Sequence, residues 1–381
     1  MESAAVVGGN LRLARLFHGL TLEDIASSID RTRQFVHRLE IEQATPSAAI
    51  LQLIAARTRV LPDFFSRAVA APITEDQCHF RKHLSARVSI KHVALAKGEM
   101  FHRIVAYLGS QLELPANVIP QRDVQSFSDI ELAAEACRRA WGLGLGPIEN
   151  MVRVAENVGA IVTRFRGVGR EIDAHSISAA RPIIVLNAEE RSVCRLRFDV
   201  AHELGHLVMH VGRLTGDRKT ESEANRFAGA FLLPRSSFAK EFPRLRGQHL
   251  NWRGLADMKL RWKVSKAALL FRARQLGLIE ESQYKTGVIR LARGGEARQE
   301  HEDRLVTPEP PELFAQAIGL IVEYHGVSLE AIARAIGLGP EILQEFLDSR
   351  TAAPIVERRS ADVISLALRR QSRVQRPVAG E

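Results

Sequence analysis

Residues 198–210 read FDVAHELGHLVMH, and residues 221–232 read ESEANRFAGAFL. The first stretch holds His202-Glu203-Leu204-Gly205-His206, an HExxH pattern. Residues four apart lie on one face of a helix, so these two imidazoles can converge on one zinc ion. Glu203, the next residue, then sits where it can take a proton from a water in the site. That is the arrangement of a metal-dependent peptide-bond hydrolase. Asn187, Glu189 and Glu190 mark the expected start of the helix, which should run to about His210.

Two histidines need a third ligand. ESEANRFAGAFL predicts a helix with Ala224, Phe227, Ala228, Phe231 and Leu232 on its apolar face. Glu221 stands three residues before Ala224, on that inward face, and a buried carboxylate needs a partner such as zinc. Asn225, four residues on, lies on the same side and can hydrogen-bond a ligand imidazole. Glu223 is the alternative, roughly two-fifths of a turn away, and Glu221 is preferred. His210 is the other candidate. It continues the row of His202 and His206, but three ligands from one straight helix rarely meet one ion, so a polar group at the helix end is expected there.

Outward from this centre, residues 129–165 read as two helices and a strand, Ala160 to Phe165. Ile172 to Leu186 alternate and become β-rich, giving a small sheet. His175 in this sheet is a candidate oxyanion stabiliser if its edge faces the metal. An extended substrate loop could add to the same edge. Residues 66–125 predict a long helix around 84–113, flanked by a solvated basic face of His79, Arg81, Lys82, His83, Arg87 and Lys91.

Residues 10–65 predict a compact helical unit. Thr21 caps one helix, with Glu23 and Asp24 in its first turn, and Thr32 caps the next. Val36 and Leu39 face inward and leave Arg33, Gln34, His37 and Arg38 outward. A further helix starts at Pro46. The pattern resembles the phage-repressor type of helix-turn-helix, in which the start of the second helix touches base edges. That resemblance implies DNA contact through Arg33, Gln34, His37 and Arg38, since Arg suits guanine and Gln suits adenine.

FDVAHELGHLVMH at 198–210 and ESEANRFAGAFLLP at 221–234 together resemble the ImmA/IrrE family of metallopeptidases. WRGLADMKLRWKVSKAALLFRARQLGLI at 252–279 is similar to that family's basic helical segment. The likeness spans roughly residues 10–285. It implies a zincin-like core of gluzincin type, Zn2+ on His202, His206 and Glu221, and Glu203 as general base. It also implies the substrate class, a helix-turn-helix repressor given limited cuts, in stress-response, phage or mobile-element control.

The expected fold class is mostly α with a small β-sheet (α+β): an N-terminal helix-turn-helix bundle, the peptidase core and further helical domains. The expected units are 8–66, a connecting helical segment at 67–125, the core at 126–238, and a basic helix-turn-helix-like segment at 239–290. A Pro-rich linker at 291–312 and a C-terminal helical domain at 313–381 follow. In that last unit GVSLEAIARAI at 326–336 shares six of eleven residues with GLTLEDIASSI at 19–29, but its second helix carries Glu341 and Glu345 in place of arginines.

The net charge of +9 makes nucleic acid the first candidate partner. The charge is uneven: Lys240 to Arg274 holds ten Lys or Arg against two acids. In the runner-up reading, a DNA-binding regulator with a structural or sensory zinc site, Lys259, Arg261, Lys263 and Lys266 would assist Arg33, Gln34 and Arg38. Cys78, Cys137 and Cys194 form no CxxC pair, so buried thiols in a reducing cytoplasm are expected. No signal-like stretch and no bilayer-length apolar run occurs, so no membrane partner is expected. Repressor-type domains often bind as dimers, which makes a homodimer the candidate assembly.

Overall fold

A computed structural model of the chain describes residues 6–68, 72–80, 88–166, 174–187, 192–347 and 367–368. It is mostly helical with a small four-stranded sheet, an α+β fold. Four helices come first: α1 Gly8–Phe17, α2 Leu22–Ser28, α3 Arg33–Glu40 and α4 Ala48–Thr58. Short-range chemistry sets their ends. Thr21 and Asp24 form a reciprocal cap on α2, the Thr32 side chain accepts from Phe35 N on α3, and Ser47, one residue after Pro46, caps α4. Glu42 sits at φ +62°, a conformation that usually favours glycine. Its carboxylate accepts the Gly8 N–H at 2.9 Å, so the residue ties the α3 exit to the start of α1.

Next come β1 Cys78–Phe80, α5 Val88–Gln111, β2 Leu112–Glu113, α6 Phe127–Ala140 and α7 Met151–Asn157. The basic flank expected before α5 is partly corrected here. His79 is on β1 and wholly buried, whereas Arg81, Lys82, His83 and Arg87 lie outside the described residues. Strands β3 Ile161–Phe165, β4 Ala174–Ile177 and β5 Ile183–Asn187 complete the sheet, in the order β1-β4-β5-β3. β3 and β5 are parallel, and β4 runs antiparallel to both β5 and β1.

The sheet is a wall between two cores. Successive strand residues point to opposite faces, so Ile183 and Val185 join one core while Ile184 and Leu186 join the other. The second core holds the remaining central helices: α8 Val193–Met209, α9 Arg218–Leu232, α10 Arg235–Glu241, α11 Trp252–Trp262, α12 Lys266–Gln275 and α13 Glu281–Arg293. The first core joins α1–α5 to α14 Leu313–His325, α15 Leu329–Ala335 and α16 Pro340–Leu347. Phe346 packs 5.9 Å from Phe17 and 5.0 Å from Phe101, ring centre to ring centre. Leu61 N–H donates to Gly337 O, and Gly339 N–H to Arg59 O. The two stretches with echoing sequences therefore share one core. β6 Ala367–Leu368 pairs with β2. The basic tail residues Arg369, Arg370, Arg373 and Arg376 lie outside the described residues.

Two expectations are corrected by long-range pairing. The Pro-rich stretch before α14 is packed, not a free linker: Glu300, Asp303 and Glu309 in it are buried. The basic stretch, in turn, is answered from within the chain. Lys259 is wholly buried between Glu300 and Asp303, at 2.6 Å from each. Lys263 meets Glu149 at 2.7 Å, Lys266 meets Glu296 and Glu302, and Arg261 meets Glu241 at 2.8 Å. Lys259 and Lys266, buried among carboxylates, are not available to phosphates, whereas Arg261 stays exposed beside its partner. Among the described residues, no helix is long and apolar enough to cross a membrane.

Candidate metal centre

The start of α8 differs from the expected one. Asn187 closes β5, Glu189 and Glu190 lie outside the described residues, and Ser192 is the residue before the helix. The helix carries His202, Glu203 and His206 on the side facing β4 and α9, and all three are wholly buried. α9 crosses α8 closely at Gly205, where an added Cβ would lie 3.0 Å from the Phe227 ring. Asp217 caps α9 by accepting from the N–H groups of Lys219 and Thr220. That puts Glu221 in the first turn, where the helix dipole favours a carboxylate.

The crossing brings His202, His206 and Glu221 together. The two Nε2 atoms are 3.1 Å apart; that of His202 lies 3.4 Å from Oε2 of Glu221 and that of His206 lies 3.4 Å from Oε1. Ligands about 2.0–2.1 Å from a tetrahedral zinc are separated by about 3.3 Å, which is close to each of these three spacings. The outer nitrogens are also held. His202 Nδ1 lies 3.1 Å from Asn225 Oδ1 and donates to it, which leaves Nε2 with its lone pair. His206 Nδ1 lies 2.9 Å from His210 Nδ1, and His210 Nε2 lies 3.0 Å from Glu223. A proton on His206 Nδ1 and another on His210 Nε2 satisfy this relay and again free the inner Nε2. His210 and Glu223, the alternative ligands, thus stand behind His206.

The electrostatics point the same way. Burial pushes His206 down to about 3, with smaller contributions from neighbouring charges. Burial alone would raise Glu221, but the imidazoles of His202 and His206 beside it outweigh that and hold the acid near 2. Two lone pairs and an anion thus converge on one point, an arrangement that a cation completes. Beside it, Ser176 Oγ donates to Glu203 Oε2 at 2.7 Å and fixes the carboxylate.

His175 does not reach this centre. Ser176 faces α8, so its neighbour faces the other side of the sheet, where the His175 ring packs 6.0 Å from Phe165. Burial holds it at about 3, and the expected oxyanion role falls with the geometry. Sequence reasoning missed His79. Its ring lies parallel to that of His206, with centroids 5.4 Å apart and an interplanar angle of 5°. Its own strand has three residues, too few for a period-2 signal.

The expected DNA-contact residues are elsewhere. Arg33, Gln34, His37 and Arg38 are all exposed on α3, while Val36 and Leu39 are buried beneath them.

Residues 155–274 match the family model of the IrrE N-terminal-like domain, peptidase family M78. The match runs from the end of α7 to α12 and includes every residue of the metal centre. This part of the chain is similar to a metallopeptidase domain of the ImmA/IrrE type. No curated protein matches the chain.

Proposed function

We propose that the chain is a zinc-dependent endopeptidase that makes limited cuts in a helix-turn-helix transcriptional repressor, working in the cytoplasm. The observation that carries the reading is the triangle of His202, His206 and Glu221 with Glu203 beside it. A purely structural site has no use for a base at that place. Zinc held there would supply a Lewis acid and bring the pKa of a neighbouring water to about 7. Glu203 takes the proton as that water attacks the peptide carbonyl, and later returns it to the leaving amine. Ser176 keeps the Glu203 carboxylate aimed during both transfers, and Asn225 and His210 keep the ligand imidazoles turned inward.

The exposed face of α3 supports a second, compatible role. Arg33, Gln34, His37 and Arg38 stand clear of the core on a capped helix, as a major-groove reader requires. The same unit would bring the peptidase to a DNA-bound repressor. The regulator reading, in which the metal is structural or sensory, rests on this face alone.

The test compares wild type and Glu203→Gln, both zinc-loaded, against helix-turn-helix repressors encoded beside the gene, with products read by mass spectrometry. The Gln variant should keep its zinc and lose cleavage by roughly 10²–10⁴-fold. Zinc retained by both, salt-sensitive DNA binding intact and no cut by either would favour the regulator.

A further inference from the structure

Ser176 on β4 touches the base, so an extended peptide entering beside Glu203 would pair along the outer edge of that strand. That edge is filled by the chain itself. β1 runs antiparallel along it, with Cys78 opposite Ile177, His79 opposite Ser176 and Phe80 opposite His175. β1 lies outside residues 155–274, so the sheet of the peptidase-like domain ends at β4 and is closed by a strand from elsewhere.

The side chains of β1 split as the pleat requires. Cys78 enters the apolar core behind the sheet, while His79 covers the metal centre. One nitrogen of His79 lies 2.8 Å from Ser178 Oγ and the other 3.1 Å from Thr215 Oγ1. With this ring over His206, the residues His202, Glu203 and His206 have no exposure. As folded, Glu203 is out of reach of a peptide bond from solvent. Among the described residues β1 spans only Cys78–Phe80, on an edge of the sheet, with two neutral hydrogen bonds holding its histidine.

We propose that Cys78–Phe80 occupies the substrate's place on β4, and that this strand leaves before an extended segment of the protein substrate pairs there. The proposal rests on the peptidase reading above. It makes the chain latent until β1 is displaced. It also sets a preference. A substrate in the same register puts one side chain opposite Ile177, into the space Cys78 fills, so a small apolar residue is favoured there.

The strand can be locked. Ser178 N–H donates to Gln77 O, so the next pair along, Cys78 and Ile177, is a closely spaced one without hydrogen bonds. Ile177→Cys would place a thiol opposite Cys78 within disulfide reach. In the full-length zinc-loaded variant, oxidation should slow zinc loss to a chelator at least about tenfold against the reduced protein. It should also stop repressor cleavage, with reduction restoring both. Equal zinc loss in the two redox states would overturn the proposal.

Should that variant not fold, Ser178→Ala with Thr215→Val removes both hydroxyl anchors and leaves His79 and the ligands in place. Zinc loss and amide exchange at 78–80 should then accelerate several-fold, and unchanged rates would overturn the idea. A protein that binds no zinc would count against the peptidase reading. Hydrogen exchange in wild type would still judge the strand: amides of β1 should exchange at least about tenfold faster than those of β5, and equal protection sinks it.

Discussion

Glu309 and Glu221 are both carboxylates held inside this molecule, in settings that differ in one respect. Glu309 is buried against Arg197, and nearby Glu300 and Asp303 share the ammonium of Lys259. There each anion meets a cation of the chain. Glu221 instead faces two imidazoles at 3.4 Å each, and burial favours the neutral form of His206. A buried charge is tolerated only when it is paired. The first region is complete as folded, and the second is a candidate place for a cation from outside. That difference separates a carboxylate used to fasten the chain from one placed as a candidate ligand.

The largest expected effect is on the fastening side. Glu309→Gln leaves the Arg197 guanidinium buried without its carboxylate and should cost about 3–5 kcal/mol in denaturant unfolding. Glu221→Gln in metal-free protein strands no buried guanidinium and should cost less than Glu309→Gln. It should, however, abolish the stabilisation that added zinc gives wild type. Equal losses from the two substitutions would erase the distinction.

A smaller effect sharpens the binding side. Asn225→Ala frees the His202 ring that its amide oxygen orients. Zinc affinity in a competition titration should fall about 10–100-fold, with little change in metal-free stability. An unchanged affinity would remove Asn225 from the site.

A further effect is on pH. Burial lowers His175 to about 3 and, together with the charge of His210, His79 to about 4, both from 6.5. Below about pH 6.5 the unfolded chain takes up protons that the folded chain refuses, so stability is present above that pH and drains away toward pH 3. The melting temperature of metal-free protein should therefore be lower at pH 5 than at pH 7.5. His175→Leu should flatten part of that slope, and a slope it leaves untouched would mean other groups carry it.

Much of the metal centre was legible before any coordinates. His202 and His206 share a helix face because of their spacing, and Glu221 lies on the apolar side of its own helix for the same reason. The caps at Thr21 and Thr32 and the outward set of Arg33, Gln34, His37 and Arg38 follow from equally local rules. His79 was not legible. It is far from His206 in sequence, and its strand is too short to announce itself. His175 misled because alternation says that neighbours face opposite ways, but not which of them faces the site.

The sequence by itself thus determined the elements, the faces they bury and the residues able to meet on one helix. Those follow from backbone geometry acting over a few residues. Only the tertiary structure decided that Lys259 spends its charge on Glu300 and Asp303, that 313–347 joins the core of α1–α5, and that β1 closes the edge of β4. Each of these contacts joins segments distant in the chain. Their partners are chosen by which buried charges and open strand edges remain once the helices and sheet have packed.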